Sequence, residues 1–336
     1  MKIWFYSREV VLLILGVMKL VCGDICLDVD SAVQGDKYMQ HQVFRKFWSQ
    51  SLYTCASECL MSSACLSFGF EKKTRTCLLN INSSDSADVV DRTGFLFSDI
   101  KHWPQALSGP CSQRVCTNNS RCEVTRLGPG RCAPEFQGCG HPPDVRGASV
   151  KYDGQYQEAL ATYSCDPDFR TCHNNISSTC LSSGLWESLA GLCGQFRWHD
   201  PSKDGYSVPC GPSNGFRLKV IAAPTNDTRW TIVIMKQADK RFHSEFRFNF
   251  DRQSEKVLVI VGKDRRSGLR VHTNLTMVVG QNYEVDVSLQ DGVYGLAVDG
   301  ASIYNFTEAV PGAEADNFKF VQDVSVSFME LVLNNS

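Results

Sequence analysis

Apolar and polar positions alternate along the last third of the chain. The runs are Phe216-Arg217-Leu218-Lys219-Val220-Ile221, Trp230 to Met235, Phe246 to Phe250, Val257 to Val261, Tyr283 to Leu289, Tyr294 to Val298 and Val324 to Phe328. A period of two puts every second side chain on one face of a strand, and Gln290-Asp291-Gly292 and Asp299-Gly300 supply turns. Helical periodicity is hardly seen there. Many short strands with one apolar face each predict an all-β jelly-roll sandwich over residues 195–334. About 140 residues can bury enough apolar surface to fold without cross-links.

The first half has another texture. Ser51 is a candidate N-cap for a helix running to Met61. Cys55 and Cys59 stand four apart, on one face of that helix. Leu66 to Phe70 and Thr76 to Leu79 alternate like short strands. The cysteines come in modules: Cys55, Cys59, Cys65 and Cys77, then Cys111 to Cys132, then a sparse set ending at Cys193, and only Cys210 after it. The fold class expected is therefore multi-domain, with small disulfide-rich modules (24–110, 111–138 and 139–194) ahead of the sandwich.

The N-terminus reads as a secretory signal over residues 1–23, with Lys2 and Arg8 before the apolar run Val10 to Met18 and a cut before Asp24. That run is too short to span a membrane, which takes roughly 20 residues, and the C-terminal Leu331 to Ser336 has no GPI-type tail. A secreted, extracellular chain is the expectation. Asn-x-Ser/Thr acceptors at Asn82, Asn118, Asn175, Asn226, Asn274, Asn305 and Asn334 agree with it, and an oxidising compartment lets thiols pair. Loss of the leader removes Cys22 from sixteen cysteines and leaves an odd number. One thiol is then free or bonds a second chain, so a disulfide-linked dimer is among the implied partners. Cys26, Cys172, Cys210 and the 111–132 cysteines are the candidates. A net charge of −2 without a basic run leaves nucleic acid no footprint.

Residues 24–110 resemble a PAN/apple domain in the Cys55-x3-Cys59-x5-Cys65 run, Phe68-x-Phe70 and Cys77-Leu78-Leu79. The resemblance implies Cys55–Cys77 and Cys59–Cys65 bridges, and protein or carbohydrate contacts. Cys26 and Cys111 lie where some apple domains add a closing bridge. Residues 111–138 resemble a degraded EGF-like module, with Cys111-x4-Cys116-x5-Cys122 and Cys132, a missing cysteine near Gly130 and no calcium-binding acids. Residues 139–194 resemble a sushi domain in Cys139-Gly140-His141-Pro142-Pro143, Tyr163-Ser164-Cys165 and Cys180-x3-Gly184-x-Trp186, ending at Cys193. This implies Cys139–Cys180 and Cys165–Cys193 pairs with Trp186 buried beside them; Cys172 falls outside the pattern.

The last third is similar to a galectin domain, across Phe246 to Asn249, Val257 to Val261, Gly280 to Val285 and Tyr294 to Gly300; a laminin-G type sandwich is the other option. Galectins hold β-galactosides with a His-x-Asn-x-Arg strand, an Asn on the next strand and a Trp-Gly-x-Glu stretch. Aligned here, Arg247 stands for His, Asn249 is kept and Asp251 stands for Arg. Val261 falls near the next Asn, and Ser267-Gly268-Leu269-Arg270 replaces the Trp stretch. Losing the stacking ring costs about 1 kcal/mol or more, and each unpaired hydroxyl roughly 1–3 kcal/mol. A millimolar-to-micromolar affinity is only about 4–8 kcal/mol, so lactose is not expected to bind in the usual way. Arg247, Asn249, Asp251 and Arg270 instead form a set suited to an acidic or sulfated glycan, because guanidinium forks match planar oxyanions.

Gly211-Pro212-Ser213-Asn214-Gly215 matches Gly-x-Ser-x-Gly, yet a nucleophile elbow needs a strand before it and a helix after it. The string reads better as a turn entering the sandwich. Scattered histidines support no zinc site, and no cofactor is implied. The expectation is a non-enzymatic, lectin-like recognition protein whose partners are glycans or extracellular glycoproteins. The alternative is a protein-binding adhesion or matrix component with no sugar ligand.

Overall fold

Ser51 starts the helix Leu52–Leu60: its backbone is extended, and its Oγ accepts from the Thr54 amide at 3.2 Å, one of the donors a helix start leaves open. The computed structural model describes residues 29–333 apart from 118, 126–127, 173–175, 190, 203–204, 237–238, 248–255, 264–265, 267 and 308–313. The expected signal segment, Cys26 and the acceptors Asn118, Asn175 and Asn334 lie outside the described residues. The chain divides into two units. One holds the chain to Pro143 with 150–162 and 177–188; the other holds 144–149, 163–176 and everything from Leu189.

The first unit begins with α1 (Val29–Ala32), β1 (Gln34–Met39), β2 (Val43–Trp48), α2 (Leu52–Leu60), β3 (Ser67–Glu71), β4 (Thr76–Asn80) and β5 (Val89–Asp99). The strands form one antiparallel sheet in the order β1-β5-β3-β4-β2. Cys55, Ala56 and Cys59 of α2 share an apolar cluster with Phe44, Phe68, Leu79 and Trp103. Bridges Cys55–Cys77 and Cys59–Cys65 fasten the helix to β4 and to the entry of β3. So small a core gains from such links, which restrict the unfolded chain.

β6 (Ser120–Thr125) and β7 (Gly128–Pro134) follow as a hairpin, held by Cys111–Cys122 and Cys116–Cys132. Cys111 is therefore not the partner of Cys26, contrary to the closing bridge considered above. The absent cysteine near Gly130 has a steric reason. A Cβ on Gly130 would stand 2.3 Å from Cys122 Sγ and 2.8 Å from Cys111 Sγ, so the bridge occupies the space a side chain would need.

The segment from Cys139 to Cys193 contributes to both units and holds β8 (Ala148–Lys151), β9 (Leu160–Cys165), β10 (Phe169–Thr171), β11 (Ser177–Thr179) and β12 (Cys193–Gln195). Cys139–Cys180 lies in the first unit, Cys165–Cys193 in the second. Trp186 is half-buried rather than buried: its Nε1 donates to the Gly140 carbonyl at 3.0 Å, which keeps the ring near the surface. Cys172 and Cys210, both candidates for the odd thiol, are bonded to each other. Among the described residues no cysteine is free.

The second unit is dominated by a β-sandwich. Its strands are β13 (Arg197–His199), β14 (Tyr206–Ser207), β15 (Phe216–Pro224), β16 (Arg229–Lys236), β17 (Asp239–Arg247), β18 (Lys256–Gly262), β19 (Leu269–Thr276), β20 (Tyr283–Gln290), β21 (Val293–Val298), β22 (Ala301–Thr307), β23 (Asn317–Gln322) and β24 (Val324–Leu333). They form two six-stranded antiparallel sheets, ordered β13-β24-β15-β20-β21-β22 and β14-β23-β16-β17-β18-β19. One core fills the space between them. Trp230 stacks on Phe246 at 4.3 Å and Phe242 on Tyr294 at 4.9 Å, with Leu218, Val287 and Val259 around them. Asp299 and Gly300 both take positive φ, 47° and 77°, in the two-residue turn between β21 and β22, where the strand twist favours that geometry.

Candidate functional site

The outward face of the second sheet is set by strand alternation. Phe242 and Phe246 of β17 and Val257, Val259 and Val261 of β18 point into the core, so Glu245, Arg247, Leu258 and Ile260 point away from it. Val261, the position aligned with a sugar-binding asparagine, is therefore a core residue; its outward neighbours are Ile260 and Gly262. Leu275 of β19 also packs toward the core, which turns Arg270 and His272 outward. Register joins these strands in rows. Ile260 pairs with Glu245 on one side and Arg270 on the other, and Leu258 pairs with Arg247 and His272.

Two of the four expected ligand residues are thus brought to one face, with β18 between them: Arg247, half-buried, and Arg270, exposed. Asn249 and Asp251 lie outside the described residues, as does Ser267. The group that sequence reasoning passed over is Glu245. Its side chain is 3% exposed, Arg247 Nε donates to its Oε1 at 2.5 Å, and Arg229 Nη1 of β16 stands 3.7 Å from the same oxygen. A carboxylate this buried needs such partners. The sequence carried a signal for it. Alternate positions of β17 ending at Arg247 read His243, Glu245, Arg247, a His-x-Glu-x-Arg string four residues before the alignment used above.

The Ser213 side chain makes local turn bonds: its Oγ donates to the Gly215 carbonyl at 2.9 Å and accepts from the Gly215 amide at 3.2 Å, just ahead of β15, while its backbone pairs with Ala315. Of the glycan acceptors, Asn226, Asn274 and Asn305 are exposed. Asn82 is half-buried, and its Nδ2 donates to Gln42 Oε1 at 2.8 Å. Among the described residues no helix is long and apolar enough to cross a membrane.

Comparison with known proteins places two modules. The PAN domain family matches residues 32–100, and the sushi (SCR) repeat matches residues 139–193. No curated protein matches the chain. Three solved structures resemble it over the sandwich. The Caenorhabditis elegans galectin LEC-6 is 22% identical, with 40% of this chain and 95% of that one covered and a TM-score of 0.34. Sheep galectin-11 is 16% identical, covering 39% and 98%, with a TM-score of 0.31. The chicken liver homodimeric agglutinin CG-16 is 12% identical, covering 38% and 100%, with a TM-score of 0.31. The chain is a multi-domain protein of small disulfide-rich modules, PAN and sushi among them, joined to a two-sheet sandwich.

Proposed function

We propose that this chain is a secreted recognition protein whose sandwich binds glycans through the outward face of β16 to β19, and not β-galactosides in the usual galectin mode. The observation that carries the reading is the buried Glu245 carboxylate held by Arg229 and Arg247. Arg247 gives its Nε to that carboxylate and keeps its Nη groups as further donors. Ile260 and Gly262 offer no side-chain hydrogen bond where galectins use an asparagine. Arg270 adds a third guanidinium to the same face. Guanidinium forks suit the sulfate or carboxylate of an acidic glycan. The seven disulfides among the described residues support an oxidising, extracellular setting. The chain acts by binding, without catalysis.

A glycan array probed with the full chain tests this. Sulfated or sialylated glycans should be retained and their signal lost with Arg247→Ala or Arg270→Ala. An array with no bound glycan, alongside a glycan-independent protein partner, would replace this reading with protein docking.

A further inference from the structure

Within the first unit, β2, the β6–β7 hairpin with the residues that follow it, and the 150–162 segment enclose a cavity of about 310 Å³. That is close to the lower end of small-molecule sites, about 300 Å³. Its lining cations, Arg45, Lys46 and Arg121, are each paired with a carboxylate. Arg45 Nη1 lies 3.3 Å from Glu58 Oε2 and 3.7 Å from Glu135 Oε1, and Arg121 Nη2 donates to Glu58 Oε2 at 2.8 Å. Lys46 Nζ stands 3.5 Å from Asp153 Oδ2. Three cations are thus matched by three carboxylates, and a net-charged ligand gains little from them. Burial, and then the neighbouring Arg121, pull the Arg45 guanidinium below its ordinary value.

Two polar atoms break this balance. Glu135 Oε1 and Arg121 Nε are buried and form no hydrogen bond. The Glu135 side chain is 3% exposed and lines the cavity, and its other oxygen accepts from Ser62 Oγ at 2.5 Å. A buried carboxylate oxygen without a donor is costly and asks for one. Half-buried Phe136 adds an apolar ring to the same wall. An acceptor, guanidinium donors and a ring face together match one chemistry: a neutral polyol with an apolar C–H face, whose hydroxyls both donate and accept.

We propose that this cavity binds a single neutral pyranose residue. One of two vicinal hydroxyls donates to Glu135 Oε1, the other accepts from Arg45 or Arg121, and the C–H face of the sugar lies on Phe136. The site is separate from the sandwich and does not rest on the reading of that face.

Saturation-transfer NMR on the full chain, with the methyl glycosides of glucose, mannose, galactose and N-acetylglucosamine, tests it. Hydrogen exchange of peptides spanning 43–48 and 133–137 locates any binding. At least one glycoside should show transfer and protect both peptides. Glu135→Gln should weaken it at least about tenfold through loss of a charge-assisted bond. Phe136→Ala, which leaves the ion pairs intact, should weaken the same glycoside, with melting curves confirming that each variant folds. No transfer from any glycoside, or transfer untouched by both variants, overturns the proposal. So does tighter binding here of a sulfated disaccharide than of its unsulfated parent. Protection confined to 241–247 would also overturn it, while leaving the sandwich reading standing.

Discussion

Arg247 donates from Nε to Glu245 Oε1 at 2.5 Å, two positions along a single strand, on the outward side of a sheet. Glu245 is therefore a structural anchor as well as part of the candidate face. Replacing it by alanine leaves Arg229 and Arg247 without their shared acceptor. Both guanidiniums retain some water, so the expected loss is about 1–3 kcal/mol, below that of a fully buried pair. Urea unfolding followed by tryptophan fluorescence measures it; an unchanged midpoint would show that the pair contributes nothing.

Gly130 lies against the Cys111–Cys122 bridge, with no room for a methyl group. Gly130→Ala should force the hairpin or the bridge to shift, at about 1–3 kcal/mol. Thiol titration after oxidative folding should reveal Cys111 and Cys122 in part of the population. Full pairing with wild-type stability would contradict the close contact.

The seven bridges among the described residues use fourteen of the sixteen cysteines, and Cys22 and Cys26 lie outside the described residues. If the leader is cut before Asp24, Cys26 is the odd thiol of the mature chain. A non-reducing gel should then show a dimer that collapses to monomer on reduction and is absent with Cys26→Ser. A dimer that survives this substitution would move the cross-link to another residue.

Glycan occupancy should follow access to the amide nitrogen. Asn226, Asn274 and Asn305 are exposed, whereas Asn82 Nδ2 is engaged by Gln42. Peptide mapping after enzymatic deglycosylation in heavy water should mark the first three at high occupancy and Asn82 at low occupancy. Gln42→Ala should raise occupancy at Asn82.

The strongly alternating strands were legible because one of their faces is buried. Trp230-Thr231-Ile232 of β16 and Tyr283-Glu284-Val285 of β20 send alternate side chains into one core. β19 and β22 were not, since Leu269 to Thr276 and Ala301 to Thr307 run along sheet edges with mostly exposed or half-buried side chains. The Cys172–Cys210 bond was illegible because it links a cysteine outside the sushi pattern to one beyond the module. The Arg45–Glu58–Arg121–Glu135 cluster was hidden for a similar reason: its members come from β2, α2, β6 and the residue after β7, and no local spacing joins them. On the sandwich face, Glu245 was passed over because it stands two positions before the Arg247-to-Asp251 run that was compared with the galectin strand.

Calorimetric titration of the full chain with lactose and with lactose sulfated on the galactose 3-hydroxyl is the most direct test of the proposed glycan-binding face. The sulfated sugar should bind, lose affinity with Arg247→Ala and weaken as salt rises, while lactose gives no heat of binding. Equal binding of the two sugars, or lactose binding that Arg247→Ala abolishes, would show the usual galactoside site at work and contradict the account.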